Sequence, residues 1–152
     1  MTSSHELIAN HLRLKRAYDP PTSEDGLRVL VDRLWPRGLR KADAAVDLWL
    51  KDVAPSTQLR KWFNHDAQRW PEFRRRYAIE LMQHRAVADE LRERVMHGTV
   101  TLLFAAQDQV HNHAIVLREA LLQWPNWDGN STSLESTRES SHVRKNVSPN
   151  LP

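Results

Sequence analysis

The chain has 152 residues, of which 40 % are hydrophobic and 27 % are charged, and its formal net charge is +3. This composition is that of one globular domain and excludes a wholly disordered or fibrous chain. The absence of cysteine excludes disulfides, thiolate metal sites, iron–sulfur clusters and cysteine nucleophiles.

Nothing in the sequence predicts a membrane segment. The longest apolar run, residues 102–106, is far shorter than the ~18–20 residues that a membrane helix needs. Residues 1–10 have neither a basic start nor an apolar stretch, so they predict no secretory signal. Together with the missing cysteines, these features lead us to expect a cytoplasmic protein that does not associate with membranes.

The composition divides the chain into three parts. Residues 1–10 are expected to be a flexible N-terminus, and residues 11–124 are expected to form a single domain. Residues 125–152 are expected to be a disordered tail rich in Ser and Asn. The segment 128–152 has 11 Ser, Thr or Asn among its 25 residues, and this composition buries too little apolar surface to offset the entropy of ordering.

The first two elements of the domain are predicted to be strands. Residues 11–17 alternate in polarity, with Leu12 and Leu14 on one face, as in a half-buried strand. A loop rich in turn residues follows. Residues 28–32 form a short, β-branched apolar run, which is typical of a strand that is buried on both faces.

Three helical patterns come next. The first ends before Pro55, and its apolar face consists of Val46, Trp49, Leu50 and Val53. Ser56 is the predicted N-cap of a second, short helix. The third pattern runs from Pro71 to His97, before Gly98, and we expect a break at residues 84–86 because 27 residues is long for a globular helix.

Residues 100–106 form the second buried strand pattern, and Asp108 is the predicted cap of the last helix. Strands that alternate with helices predict an α/β fold. We expect a small, mostly parallel sheet of about three strands, flanked by about five helices. The pairing of the first strand stays open, because the ten residues between the first two strands are too few for a helical crossover.

The candidate binding residues follow the two buried strands, where open α/β sheets bind their ligands. Arg33 and Arg37 flank Trp35, so two guanidinium groups could hold a phosphate or carboxylate while the indole stacks on a planar group. This pattern predicts an anionic small molecule as the partner. The alternative is that the arginines form internal ion pairs and the tryptophan fills a gap in the core.

Asp32, Asp108 and His111 are the candidate catalytic residues. The i, i+3 spacing of Asp108 and His111 allows the carboxylate to orient an imidazole for acid–base work, and hydrolysis or group transfer fits this pair better than redox chemistry. Further ligand-binding candidates are Lys51, His65, Asn112 and His113. No metal site is predicted, because His111 and His113 would point about 200° apart on a helix.

Other classes of ligand have less support. The chain has four glycines, none in a dinucleotide-binding or P-loop pattern, and the cofactor is unknown. Nucleic-acid binding is the alternative function, through the arginine-rich helix face at residues 74–76. The structural alternative for that face is a solvated helix surface. The oligomeric state does not follow from the sequence.

Several long motifs resemble the YeaO-like family of bacterial proteins of unknown function, over about residues 11–122. The motifs are RVLVDRLWPRG at 28–38, DLWLK at 47–51, LRKWFNHD at 59–66 and VTLLFAAQDQVHN at 100–112. The resemblance implies a compact α/β domain and supplies no reaction. Related families carry a cysteine in the third strand and a Cys-His-Arg triplet after it, where this chain has Phe104 and residues 112–114 (Asn-His-Ala). The chain therefore resembles a cysteine-lacking branch, to which thiol chemistry cannot be transferred.

Overall fold

The computed structural model describes residues 4–124, and the expected disordered tail lies outside these residues. A four-stranded sheet organises this part of the chain. Its strands are β1 (Leu12–Arg16), β2 (Leu27–Leu30), β3 (Leu48–Trp49) and β4 (Val100–Phe104), in the order β1-β4-β2-β3. Every neighbouring pair is parallel. The predicted α/β class with a small parallel sheet is confirmed, with four strands.

The helices are α1 (Ser4–His11), α2 (Lys41–Ala44), α3 (Thr57–Phe63), α4 (Trp70–Gln83), α5 (Arg85–His97) and α6 (His113–Leu122). Short 3₁₀ turns occupy Ser23–Asp25, Lys51–Val53 and Ala67–Arg69. None of the helices described is both long and apolar enough to cross a membrane.

The two faces of the sheet are covered differently. The main core includes strand residues such as Val29 and Leu102 and helix residues such as Tyr77 and Leu117, all of them fully buried. A smaller cluster is centred on Leu30, against which three loop residues (Trp35, Leu39 and Val46) and Trp49 of β3 pack. Loops and a short edge strand, rather than helices, therefore build this second cluster.

The pairing of the first strand, left open by the sequence, is resolved by its register. Leu12 of β1 lies opposite Val100 of β4, so β1 pairs with the last strand and not with the strand that follows it in the chain. The central strand β4 is buried along its whole length, as its apolar run predicts.

The prediction of a helix at residues 46–53 is wrong. This segment instead forms β3 and a 3₁₀ turn, because its backbone pairs with β2. Asp47 N donates to Arg28 O at 2.8 Å, and Leu50 N donates to Leu30 O at 2.9 Å. The apolar residues at helical spacing are divided between the two clusters, since Val53 joins the main core and Trp49 joins the smaller one.

The expected flexible N-terminus is also wrong for residues 4–10, which belong to α1. Ile8 is fully buried in the main core. Arg118 of α6 donates to Ala9 O at 3.1 Å and to Leu12 O at 2.8 Å, which ties the end of α1 to α6. The segment has too few apolar residues to show a helical period, and tertiary contacts stabilise its fold.

The predicted helix boundaries agree better with the structure where the chemistry of adjacent residues sets them. Ser56 accepts a hydrogen bond from Leu59 N at 3.0 Å as the N-cap of α3. The predicted break falls at His84, between α4 and α5. The expected cap at Asp108 is wrong, because α6 begins later and its N-cap is Asn112.

Candidate functional site

An open cleft of about 660 Å³ lies beyond the carboxyl ends of β2 and β4. It is lined by Tyr18, residues 32–37, residues 105–108 and residues 111–113, and by Ala54, Pro55, Arg60, Phe63, His65 and Phe73. Its volume falls within the ~300–1,000 Å³ that is typical of small-molecule sites. The two polar segments after the buried strands therefore face one shared cavity, which we call the cleft.

Arg33 is held in the cleft wall by backbone oxygens. Its Nε donates to Pro55 O at 3.1 Å and its Nη2 donates to Ala54 O at 3.2 Å. Within residues 4–124 it forms no salt bridge with a carboxylate. These carbonyl oxygens orient the guanidinium but supply no negative charge to balance it.

Arg37 and Arg60 also bring guanidinium groups to the cleft. Both side chains are exposed, and neither has a hydrogen bond or ion pair with another side chain of the described region. The backbone of Arg37 is anchored, because Tyr18 Oη donates to its carbonyl at 2.7 Å. The sequence did not predict Arg60 as a site residue, because an arginine on the exposed face of a helix has the same pattern as any surface residue. Only the placement of α3 beside the cleft reveals it.

The predicted pair of Asp108 and His111 is present in the structure. Asp108 Oδ2 lies 3.1 Å from His111 Nδ1, while Oδ1 accepts hydrogen bonds from Val110 N at 2.8 Å and His111 N at 2.9 Å. These contacts, led by the Val110 backbone, lower the pKa of Asp108. The His111 ring packs edge-on against Trp70, with 5.2 Å between centroids. Nδ1 is therefore held by Asp108, which leaves Nε2 available.

A second aspartate–histidine pair was not predicted. Asp32 Oδ2 accepts from Ala105 N at 3.0 Å, and Oδ1 lies 3.2 Å from His113 Nε2. The same Nε2 is 2.9 Å from Val31 O. Because a carbonyl only accepts hydrogen bonds, Nε2 must carry a proton. Asp32 Oδ2 thus joins the ends of β2 and β4, while the hydrogen bond to Val31 O orients the His113 ring beside Asp32 Oδ1.

Two of the candidate ligand-binding residues have structural partners. Trp35 Nε1 donates to Leu39 O at 2.6 Å, and its ring packs edge-on against Trp49 at 5.4 Å. The buried Asn112 uses both ends of its amide: Nδ2 donates to Asp108 O and Oδ1 caps α6 at Ile115 N. Both residues line the cleft, but their polar groups form hydrogen bonds within the protein, at the loops and the helix end that border the cleft.

Lys51 is the one predicted site residue that does not line the cleft. Its Nζ lies 4.1 Å from the centroid of the Trp49 ring, which is a cation–π contact. Asp47, four residues before Lys51, has a different partner, because its Oδ2 accepts a hydrogen bond from Arg28 N at 2.8 Å.

His65 is exposed at the cleft in a left-handed backbone conformation, with φ of 55°. The Asp66 next to it caps a 3₁₀ turn at Gln68 N and lies 3.5 Å from Arg69, so it does not serve as a partner for His65. Within residues 4–124, no group of three or more His, Asp or Glu is arranged to hold a metal ion.

Comparison with known proteins gives a family. A family model described as the inactive DUF488-N3 subclade matches residues 11–142. The chain is 43 % identical over 111 residues to the uncharacterized protein YeaO of Escherichia coli K12, covering 73 % of this chain and 96 % of YeaO. It is 44 % identical over 110 residues to the uncharacterized protein Rv3073c of Mycobacterium tuberculosis H37Rv, covering 72 % and 92 %. No solved structure matches it. The predicted resemblance is thus confirmed: the chain belongs to the inactive DUF488-N3 subclade and to the YeaO-like proteins.

Proposed function

We propose that this protein binds an anionic small molecule, carrying a phosphate or a carboxylate, in the cleft. One observation carries the proposal. Arg33, Arg37 and Arg60 line the same cavity, and none of them forms a salt bridge with a carboxylate of the described chain. Guanidinium groups that face a concave site without internal partners are suited to bidentate contacts with an anion.

The two carboxylates of the cleft already accept hydrogen bonds from other groups of the protein. Asp108 accepts two backbone hydrogen bonds and contacts the His111 ring. Asp32 accepts from Ala105 N and lies against His113. Neither carboxylate forms a salt bridge with a cleft arginine, so both can stay in place when an anion binds.

Binding without turnover fits the family best, because its model is described as an inactive subclade. Under this proposal the Asp108–His111 and Asp32–His113 pairs supply polar contacts to the ligand. Hydrolysis or group transfer, with His111 as the acid or base, stays a prediction from the residue types. It would appear as product formation when the bound anion is an ester.

We favour the cleft over the nucleic-acid alternative, because the arginines of the helix face at residues 74–76 already have carboxylate partners. Arg74 lies 2.5 Å from Glu119, and Arg75 and Arg76 both pair with Glu72. Hydrogen bonds from Arg75 and then Arg76 lower the pKa of Glu72 to about 2. The arginine-rich helix face is therefore paired along its length, whereas the cleft arginines are not.

A thermal-shift screen of organic anions at 150 mM salt tests the proposal. The variant is the double substitution Arg37→Gln, Arg60→Gln, which removes two unpaired charges from the cleft. Its matched control is Lys61→Gln, which removes one charge from the exposed surface of α3 without touching the cleft. A ligand at 100 times its Kd should add about 2.7 kcal/mol to the free energy of unfolding.

We expect at least one anion to raise the Tm of the wild-type protein and of Lys61→Gln, but not that of the double variant. An equal rise in the double variant would contradict binding by these arginines. A single-stranded oligonucleotide in the same screen tests the alternative, since its binding would weaken steeply between 50 and 200 mM salt.

A further inference from the structure

We infer that the natural ligand class is an organic phosphate monoester, bound as its dianion, with an apolar group on the carbon side of the ester. This inference rests on the proposed function and makes it more specific. It depends on the balance of charge at the cleft and on the apolar surface beside the arginines.

A fourth arginine, Arg16, does not line the cleft but contacts residues that do, and so adds positive charge near it. Arg16, at the end of β1, donates from Nε to Ala106 O at 3.0 Å and from Nη2 to Ala105 O at 2.9 Å. Its guanidinium carbon also lies 4.9 Å from the ring centroid of Tyr18. All three of these partners line the cleft, and none of them carries a negative charge.

The charge balance favours a divalent anion. The four guanidinium groups, of Arg16 and the three cleft arginines, are opposed by the carboxylates of Asp32 and Asp108. Counted over these arginine and aspartate side chains, two positive charges are left unbalanced before any ligand binds. A phosphate monoester carries about −1.5 to −2 at pH 7, whereas a single carboxylate or a sulfate ester supplies only one negative charge.

The remaining space and surface of the cleft suit an apolar group. Its volume of about 660 Å³ is far larger than a phosphate ion requires. Leu34 belongs to its wall and is 61 % exposed. Phe63 and Phe73 also line the cleft, although both are almost fully buried. A ligand that combines a phosphate with an apolar body would contact both this leucine and the arginines of the cleft.

Isothermal titration calorimetry of the full chain with four probes tests this inference. The probes are phenyl phosphate, phenyl sulfate, benzoate and inorganic phosphate, at pH 7.5 and 150 mM salt. We expect phenyl phosphate to bind at least about tenfold more tightly than the two monovalent aromatic anions, since one charge-assisted contact is worth about 1.5–3 kcal/mol. We also expect it to bind more tightly than inorganic phosphate.

The pH dependence gives a second readout. The second pKa of a phosphate ester is about 6, so the affinity for phenyl phosphate should fall relative to that for phenyl sulfate between pH 7.5 and pH 5.5. His65, His111 and His113 line the cleft, and any change in their charge acts on both probes. Phenyl sulfate is the reference, because a sulfate ester does not titrate in this range. A parallel fall for both probes would contradict selection of the dianion.

Matched variants separate the two halves of the ligand. Leu34→Ser should weaken phenyl phosphate about threefold or more and leave inorganic phosphate unchanged. Val110→Ser is the control, because Val110 is 66 % exposed on the loop after β4 but does not line the cleft. Arg60→Gln should weaken both phosphates about tenfold.

The outcomes also distinguish this inference from the proposed function. If benzoate or phenyl sulfate binds as tightly as phenyl phosphate and Arg60→Gln weakens it, the cleft binds anions and the phosphate inference is wrong. If inorganic phosphate binds as tightly as phenyl phosphate, the apolar half is wrong. If none of the four probes binds at millimolar concentration, both proposals are contradicted.

Discussion

Two groups of cationic side chains lie on the same small sheet, and the chain uses them differently. Just ahead of β2 in the chain, the fully buried Asp25 accepts hydrogen bonds from Arg28 Nη1 at 2.6 Å and from Lys15 Nζ at 3.0 Å. Beyond the carboxyl ends of the strands, Arg33 and Arg37 line an open cavity and form no salt bridge with a carboxylate of the described residues. We propose that the charges around Asp25 stabilise the fold and that the charges at the cleft bind a ligand.

The contacts around Asp25 explain why the first group is structural. Burial alone would raise the pKa of Asp25, but hydrogen bonds from the Thr22 backbone, Lys15, Arg28 and the Thr22 hydroxyl outweigh it and hold the pKa well below its usual value. The next residue, Gly26, has φ of 63°, and a Cβ there would lie 2.2 Å from Thr99 O. The turn that presents Asp25 therefore requires glycine.

The largest expected effect comes from removing the carboxylate of the structural group. Asp25→Ala leaves the buried guanidinium of Arg28 without its counter-charge, which typically costs about 3–5 kcal/mol. Urea unfolding at pH 7 measures this loss. A change below about 1 kcal/mol would mean that the Asp25 cluster does not stabilise the fold.

Acid should weaken the same group without any substitution. The pKa of Asp25 is lower in the folded protein than the value of about 3.9 in an unfolded chain. Its stabilising contribution is therefore fully present above about pH 5 and is lost as the pH falls toward the folded pKa. Unfolding curves from pH 6 to pH 2 should show this loss in the wild type and a shallower loss in Asp25→Asn. Equal acid slopes would contradict the assignment.

A smaller loss is expected at the border of the cleft. Asn112→Ala removes the N-cap of α6 and the hydrogen bond to Asp108 O, which should cost about 1–2 kcal/mol. Thermal unfolding measures it. If this variant were as stable as the wild type but lost anion binding, Asn112 would contact the ligand directly and its structural role would be refuted.

The smallest effect on stability is expected for the cleft arginines. Arg37→Gln and Arg60→Gln should each change the free energy of unfolding by no more than about 0.5 kcal/mol, because their exposed guanidinium groups have no partners to lose among residues 4–124. The measurement is urea unfolding without added anions. A loss above 1 kcal/mol would place these arginines with the structural group.

Much of this contrast follows from the sequence, because it depends on local patterns. The buried runs around Val29 and Leu102 predicted two strands, and the polar residues after each run were therefore expected at one edge of the sheet. The caps and breaks at Ser56 and His84 were also predicted correctly, since their chemistry is set by adjacent residues.

Apart from the helix cap expected at Asp108, the parts that failed depend on contacts far apart in the chain. Whether Trp49 lies in a helix or a strand is decided by pairing with β2, and no period in the sequence shows that pairing. The contact between Asp32 and His113 joins residues 81 positions apart. Arg60 reaches the cleft only because α3 packs beside it. Long-range packing of this kind has no local signal.

Arginine side-chain NMR during a titration with phenyl phosphate tests the central claim most directly. The ¹H–¹⁵N signals of Arg37 and Arg60, the unpaired group at the cleft, should shift in proportion to ligand occupancy. The signal of Arg28, which is already paired with Asp25, should stay in place. Signals of Arg37 and Arg60 that do not move while the ligand binds, or a shift confined to Arg28 and the other paired arginines, would contradict the account.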